Sequence, residues 1–290
     1  MKKLIFLTLW IISSTTVILA QGGQIFETRT VKSAILGTDR HYAVYLPEGY
    51  EQTDRTYPVL YLLHGGGDDH TGWVQFGQVQ NIADKAIESG IAGPMIIVMP
   101  DANTGTRGYF NAPDGYFNYE DFFFQELIPH IEKTYRVRSD RRYRAISGLS
   151  MGGGGTVFYA LRHPEMFAAA APLSASTGYW DFEQAKLRMQ NTNSNLTEQQ
   201  MQDAFHNQNI EYIIRNGSQD NLNKIKSIRW YISCGDDDFL YEGNSLIHIL
   251  FRKNEISHEY RIKDGGHTWS YWRTELLEVL EFVSKSFMQY

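Results

Sequence analysis

The chain has 290 residues, with 33 acidic and 27 basic side chains and a formal net charge of −6. It contains no basic stretch beyond short pairs such as Arg141-Arg142, which excludes the basic surface typical of nucleic-acid-binding proteins. Cys234 is the only cysteine, so an intrachain disulfide is excluded as well.

The first 20 residues have the pattern of a secretory signal peptide. Lys2 and Lys3 precede the apolar run 4–12, and a second apolar run ends at the small residue Ala20. The continuous apolar part is shorter than the roughly 20 residues that a membrane span needs. We therefore expect cleavage before Gln21, a secreted or periplasmic product and no membrane span after cleavage. An uncleaved anchor is the alternative.

The remaining residues, 21–290, are expected to form one domain. Residues 28–50 alternate in the manner of antiparallel edge strands. Helix-length segments separate the later strand-like runs, which indicates an α/β fold whose mostly parallel central sheet carries helices on both faces. These runs cover residues 58–63, 94–100, 143–148, 168–174, 229–234 and 258–263.

Residues 177–226 interrupt the alternation of strands and helices. They are polar, rich in Gln and Asn, and contain no strand-like run. Because the segment follows a strand, we expect a helical insertion near the active site that forms one wall of a cleft. A separate domain is not expected at this length.

A glycine-rich motif, Gly148-Leu149-Ser150-Met151-Gly152, lies between a predicted strand and a predicted helix. This G-x-S-x-G pattern, in that context, is typical of the nucleophile elbow, where Ser150 is exposed above the sheet. Gly148 and Gly152 stand where a Cβ atom would clash. A phosphate-binding loop would need a lysine that is absent here. A purely structural glycine turn remains an alternative.

A nucleophilic serine needs a base and an acid, which follow it in the chain order Ser, Asp/Glu, His. His267 comes just after the last strand, so it is the predicted base, whereas His248 and His258 lie within predicted elements and are expected to be structural. The acid is expected within 236–238, three consecutive aspartates that residue chemistry alone does not separate. A bound cation is the alternative use of these carboxylates, but it would need more converging ligands.

The stabilising donors for an oxyanion are expected in the loop that begins with His64 and continues through three glycines. A backbone N–H of this loop would act together with the N–H of Met151, while His64 orients the loop.

Aromatic side chains on the predicted loops are candidate substrate contacts, above all Trp73, Trp180 and Trp269. The wider set is Trp73, Tyr109, Phe110, Tyr116, Phe117, Trp180, Trp269 and Trp272.

Six segments in this order and spacing resemble the putative esterase family: "LLHGGG", "IIVMPDA", "YEDFFFQELIPHIEKTYRV", "ISGLSMGGGG", "SCGDDDFLYEGN" and "DGGHTWSYWR". That family includes esterase D, the feruloyl and acetyl-xylan esterases of carbohydrate esterase family 1, and the mycolyltransferases. The resemblance implies an α/β-hydrolase fold and a Ser-Asp-His triad without cofactor or metal. It singles out Asp238 as the acid, through a G-x-x-D pattern, and Gly66 with Met151 as the oxyanion donors. The third glycine of the His64 loop departs from the family's usual sequences.

The resemblance, the predicted signal peptide and the aromatic loops together predict a secreted serine esterase that removes feruloyl or acetyl groups from plant polysaccharide such as xylan. The predicted export argues against the glutathione thioester role of cytoplasmic esterase D relatives. The alternatives are a siderophore esterase of the enterobactin type, an acyltransferase of the mycolyltransferase type, and a sugar-binding module without activity.

Overall fold

A computed structural model describes residues 22–103, 108–193 and 195–288. The predicted signal peptide, residues 1–20, lies outside these described residues. Within them, the helices are all too short or too polar to cross a membrane.

Eight strands form one central sheet. The strands are β1 (Gln24–Ser33), β2 (Thr38–Leu46), β3 (Val59–Leu63), β4 (Ile96–Pro100), β5 (Arg144–Leu149), β6 (Ala169–Leu173), β7 (Arg229–Gly235) and β8 (His258–Lys263). Their order in the sheet is β1-β2-β4-β3-β5-β6-β7-β8. Strands β1 and β2 pair antiparallel, β2 pairs antiparallel with β4, and all pairs from β4 through β8 are parallel. The prediction of an α/β-hydrolase fold with a mostly parallel sheet is confirmed.

The inner strands are buried along their whole length because helices cover both faces of the sheet. Strand β3 shows the resulting alternation of side chains. Val59, Tyr61 and Leu63 belong to one hydrophobic cluster, and Leu60 and Leu62 to a second cluster on the other face. A continuous apolar run is therefore what each inner strand requires.

The helices divide between the two faces of the sheet. They are α1 (Gly72–Gln75), α2 (Val79–Glu88), α3 (Tyr119–Phe122), α4 (Ile128–Thr134), α5 (Met151–Arg162), α6 (Phe182–Thr192), α7 (Glu198–Asn207), α8 (Ile210–Asn216), α9 (Gln219–Lys226), α10 (Tyr241–Lys253) and α11 (Trp269–Met288). Helices α3, α5 and α10 contribute to the first cluster, and α2 and α11 to the second.

The helical segment 119–134 is not α-helical throughout. A π-helical turn at Phe123–Leu127 connects α3 to α4, and Pro129 stands in the first turn of α4. Proline lacks an N–H and its ring crowds the carbonyl four residues earlier, so the helix widens just before it.

Four consecutive helices, α6 to α9, occupy most of the segment 177–226. Helices α6 and α7 and the loop between them form a small apolar cluster of Ala185, Met189, Leu196, Met201 and Ala204. Helices α8 and α9 instead contribute Ile210, Ile214 and Ile225 to the first cluster of the sheet. Within the segment, the N–H of Tyr179 donates to Gln208 O and the Asn209 side chain donates to Tyr179 O, so the start of the segment is bonded to the connection between α7 and α8.

Candidate active site

Ser150 occupies a sharp turn between β5 and α5, with φ 54° and ψ −114°. A Cβ atom on Gly148 would lie 2.6 Å from Gly152 O and 2.6 Å from Leu63 Cβ. A Cβ atom on Gly152 would lie 2.6 Å from His64 O. Both positions therefore admit only glycine without movement of the backbone, and the strained turn lifts Ser150 out of the sheet.

Ser150, His267 and Asp238 form a continuous hydrogen-bonded chain. His267 Nε2 lies 2.9 Å from Ser150 Oγ, and His267 Nδ1 lies 2.8 Å from Asp238 Oδ2. The carboxylate accepts from Nδ1–H, so Nε2 carries the free electron pair that faces the serine hydroxyl. This arrangement can remove the serine proton during attack on a carbonyl group.

Asp238 is fully buried yet its hydrogen bonds favour the charged form. Burial alone would raise the pKa of this carboxyl group. The hydrogen bonds from His267, the Leu240 N–H and Ser174 outweigh that effect, and the pKa of Asp238 lies below its ordinary value. A carboxylate that favours its charged form is thus held behind the imidazole.

Ser174 is a site residue that the sequence analysis missed. Its hydroxyl bonds to Asp238 and accepts from the indole N–H of Trp272 at 3.1 Å. Its backbone has φ 45°, which is uncommon for a residue with a side chain. Ser174 directly follows β6, so its position after a strand, at the edge where Ser150 also lies, is the signal that could have identified it.

Asp236 and Asp237 do not reach His267. Both are exposed, and their carboxylates gather with that of Asp264, with oxygens within 4.8 Å of one another. Asp236 Oδ1 also accepts from the Gly265 N–H at 3.0 Å. The three consecutive aspartates therefore have different surroundings, and only the third belongs to the hydrogen-bonded chain.

The glycine loop after β3 passes close to Ser150. A Cβ atom on Gly65 would lie 2.6 Å from Leu149 Cδ1 and 3.5 Å from Ser150 Cβ. One on Gly66 would meet no described atom within 4 Å, so Gly66 borders open space. Met151 is the first residue of α5, where an N–H has no partner within the helix. That the amides of Gly66 and Met151 receive a developing oxyanion stays a prediction.

His64 fixes the loop from within the protein. The side chain is buried, with Nδ1 2.8 Å from Gly65 O and Nε2 accepting from the Ala102 N–H at 2.9 Å. Nε2 must be the acceptor, so Nδ1 carries the proton and donates to Gly65. Burial lowers the pKa of His64, which keeps the ring neutral in this role.

Trp73 was predicted to contact substrate, and this prediction is wrong. The side chain is 0% exposed and its indole N–H donates to Leu63 O at 2.9 Å. It is part of the hydrophobic core, where its large apolar surface and its satisfied N–H are both accommodated. Tyr109 and Trp272, from the wider aromatic set, are buried as well.

Trp269 and Trp180 are both half-buried. The Trp269 ring packs edge-on against Trp73 at 5.2 Å and lies 5.9 Å from the ring of Phe76. The Trp180 indole N–H donates to Thr177 Oγ1 at 3.1 Å. Both rings keep some surface open to solvent, and their contact with substrate stays a prediction.

Phe239 was not among the predicted contacts, although it adjoins the site. Its side chain is 71% exposed, and its ring centroid lies 4.5 Å from that of His267. The residue directly follows Asp238 in the chain, which is the signal that could have identified it.

Comparisons with known proteins identify the family of the chain. A family model described as putative esterase matches residues 33–283. A solved structure titled ferulic acid esterase superposes with a TM-score of 0.81 at 36% identity, over 92% of this chain and 99% of the other.

Two curated proteins extend the comparison. An endo-1,4-beta-xylanase/feruloyl esterase of Xylanibacter ruminicola is 40% identical over 143 residues, which cover 46% of this chain and 19% of that protein. An acetyl esterase of Caldicellulosiruptor saccharolyticus is 23% identical over 78% of this chain and 83% of its own length. The chain thus spans about a fifth of the length of the first relative.

Proposed function

The chain belongs to the putative esterase family, and we propose that it is a serine esterase whose catalytic triad is Ser150, His267 and Asp238. The observation that carries the proposal is the pair of hydrogen bonds at His267, 2.9 Å to the serine hydroxyl and 2.8 Å to the buried carboxylate. Nucleophile, base and orienting acid are thus connected in one line.

The proposed reaction begins when His267 Nε2 takes the Ser150 proton as Oγ attacks the ester carbonyl. Asp238 holds the imidazole in the required tautomer and stabilises the imidazolium that forms. The N–H groups of Gly66 and Met151 hold the oxyanion, and one such donor is worth about 3–4 kcal/mol. Collapse of the intermediate breaks the bond to the alcohol, which takes the proton from His267. Water then releases the acid by the same steps and regenerates Ser150.

For the substrate, we propose a feruloyl or acetyl ester of a plant polysaccharide such as xylan. The support is the 36% identity to a ferulic acid esterase over 92% of the chain, and the matched region of a xylanase/feruloyl esterase. A relative named acetyl esterase supports the acetyl group as the alternative acyl group. The half-buried rings of Trp180 and Trp269 would offer flat apolar surface to a phenolic acid.

We further propose that the mature protein is secreted or periplasmic and begins near Gln21. N-terminal sequencing of exported protein tests this directly. An intact Met1 on membrane-bound protein would show an uncleaved anchor instead.

A panel of three substrates tests the proposed substrate class: methyl ferulate, acetylated xylan and a short p-nitrophenyl ester. We expect a higher kcat/KM for methyl ferulate than for acetylated xylan, because stacking adds about 0.5–1.5 kcal/mol to the burial of a phenolic ring and acetate offers no ring. Ser150→Ala protein is the control for background hydrolysis. A preference for acetylated xylan would indicate an acetyl-xylan esterase and exclude the feruloyl ester as the main substrate. Failure on both methyl ferulate and acetylated xylan would move the proposal to the siderophore esterase or the acyltransferase.

A further inference from the structure

Phe239 is a large apolar side chain left in solvent at the mouth of the site. It is 71% exposed, and its ring plane is inclined 47° to that of His267 at a centroid distance of 4.5 Å. The ring of Trp272 also lies against His267, but this side chain is only 5% exposed. The exposed face of Phe239 is therefore available to a molecule that enters beside the imidazole.

The backbone on both sides of Phe239 is held firmly. Before it, Asp238 is buried and its N–H donates to Gly235 O at 3.3 Å. After it, the Leu240 N–H donates to Asp238 Oδ1 at 2.9 Å, and Leu240 O accepts from the Asn244 side chain at 2.9 Å. The exposure of this ring is thus a fixed feature of the loop and does not arise from a loose segment.

The anchor of this loop also connects it to the segment beside the nucleophile. Asn244 is fully buried, and its side-chain amide accepts from the Ala175 N–H at 3.1 Å and donates to Ala175 O at 3.0 Å. The neighbouring Ser176 N–H donates to Ser150 O at 2.9 Å. The loop that carries Phe239 is therefore held in a defined position relative to Ser150. A ring positioned in advance loses little entropy on binding.

The direction of the reaction determines which half of an ester meets this ring. The carbonyl oxygen must point toward the amides of Gly66 and Met151, whereas the leaving oxygen must receive its proton from His267 Nε2. The alcohol half of the ester therefore leaves beside the imidazole, and Phe239 is the exposed ring that lies against that imidazole.

We propose that Phe239 is a binding platform for the alcohol half of the substrate, and that the alcohol it takes is a sugar. This rests on the proposed function, which supplies a sugar as the alcohol. The C–H face of a sugar ring is flat and apolar enough to lie on an aromatic face, as a phenyl ring can provide without any hydrogen bond. A methyl ester presents no such face.

Two ferulate esters that share the acyl group and differ in the alcohol provide the test: methyl ferulate and a feruloylated arabinose-containing oligosaccharide. We expect Phe239→Ala to lower kcat/KM for the oligosaccharide ester about three- to tenfold, mainly through KM, because a stacking contact has about this value. Its kcat/KM for methyl ferulate should stay within about twofold of wild type by the same reasoning. Phe239→Tyr keeps the aromatic face and should restore the oligosaccharide activity. Ile262→Ala, which alters a 57% exposed side chain on β8, is the matched surface control.

Equal losses on both esters, or a shifted pH profile of kcat, would overturn the proposal and assign Phe239 to the support of His267. An unchanged KM for the oligosaccharide ester would overturn it as well. If wild-type protein hydrolyses neither ferulate ester, the feruloyl part of the proposed function fails by itself. The same comparison between methyl acetate and an acetylated xylo-oligosaccharide then decides the role of Phe239.

Discussion

At the scale of single residues, surroundings separate three chemically identical side chains. Asp238 is buried against His267, while Asp236 and Asp237 are exposed on the same loop. Hydrogen bonds keep the buried carboxyl group charged in spite of the cost of burial. The position of a carboxylate relative to the imidazole, and not its sequence neighbours, decides its role.

Substitution of these aspartates one at a time tests that distinction. Asp238→Asn should lower kcat by about 10³–10⁴-fold, because an amide no longer holds the imidazole tautomer that accepts the serine proton. Asp236→Asn and Asp237→Asn are matched controls on the same loop and should stay within about threefold of wild type, as exposed substitutions have small effects. Hydrolysis of a p-nitrophenyl ester measures all three. A larger loss in either control than in Asp238→Asn would move the acid to that position.

Sequence reasoning located Ser150, His267 and the aspartates 236–238 because each follows a strand-like run in the chain order that the fold requires, and the family resemblance singled out Asp238 among the three. It failed for Trp73, since an aromatic residue on a short helix looks the same whether its ring faces a cleft or the core. It missed Ser174 and Phe239 because both depend on contacts between distant segments. Ser174 bonds to Asp238, and the Phe239 ring lies against His267.

At the scale of elements, the turn between β5 and α5 is tightly constrained. It places Ser150 at φ 54°, and a Cβ atom on either Gly148 or Gly152 would lie 2.6 Å from a backbone oxygen. Strain of this kind persists only when the surrounding structure holds it in place. Here β3 and the first turn of α5 provide that support.

Gly148→Ala should show how little space this turn has. The added methyl group would lie 2.6 Å from Gly152 O, so we expect a loss of about 2 kcal/mol or more in the free energy of unfolding, with activity lost in parallel. Gly93→Ala is the matched control, because its methyl group would meet Ser284 Oγ at an ordinary 3.4 Å. Urea unfolding measures both variants. Equal stability of the two variants would show that the elbow can relax.

The inner strands were predictable because burial on both faces demands an uninterrupted apolar run. The runs 58–63 and 229–234 differ from β3 and β7 by a single residue at an end. The π-helical turn at Phe123–Leu127 was not predictable in detail, since Pro129 indicates only that the helix is disturbed and not how the backbone adjusts.

At the scale of the whole molecule, the fold is stabilised by its core without a disulfide. Two hydrophobic clusters lie on the two faces of the sheet, and Cys234 is buried within β7. The sequence allowed this conclusion because it contains one cysteine. Substrate choice at this scale was not predictable, since it depends on which loop side chains remain exposed around a common triad.

Thiol chemistry tests this account of the core. Burial, with a smaller contribution from Asp238, raises the pKa of the Cys234 thiol to about 12. We therefore expect no reaction with a thiol reagent at pH 8 in the folded protein, one thiol per chain after unfolding in guanidinium, and the same Tm with and without reductant. Rapid labelling of the folded protein would contradict the buried position of this residue.

The most direct test of the central claim is mass spectrometry after reaction with a fluorophosphonate, a reagent that bonds to activated serine hydroxyls. The account predicts a single adduct on the peptide that contains Ser150. It predicts no adduct on folded Ser150→Ala protein, whose ester hydrolysis should fall by about 10⁴-fold or more. An adduct on another residue, or Ser150→Ala protein that keeps more than a few per cent of its activity, would contradict the assignment of Ser150 as the nucleophile.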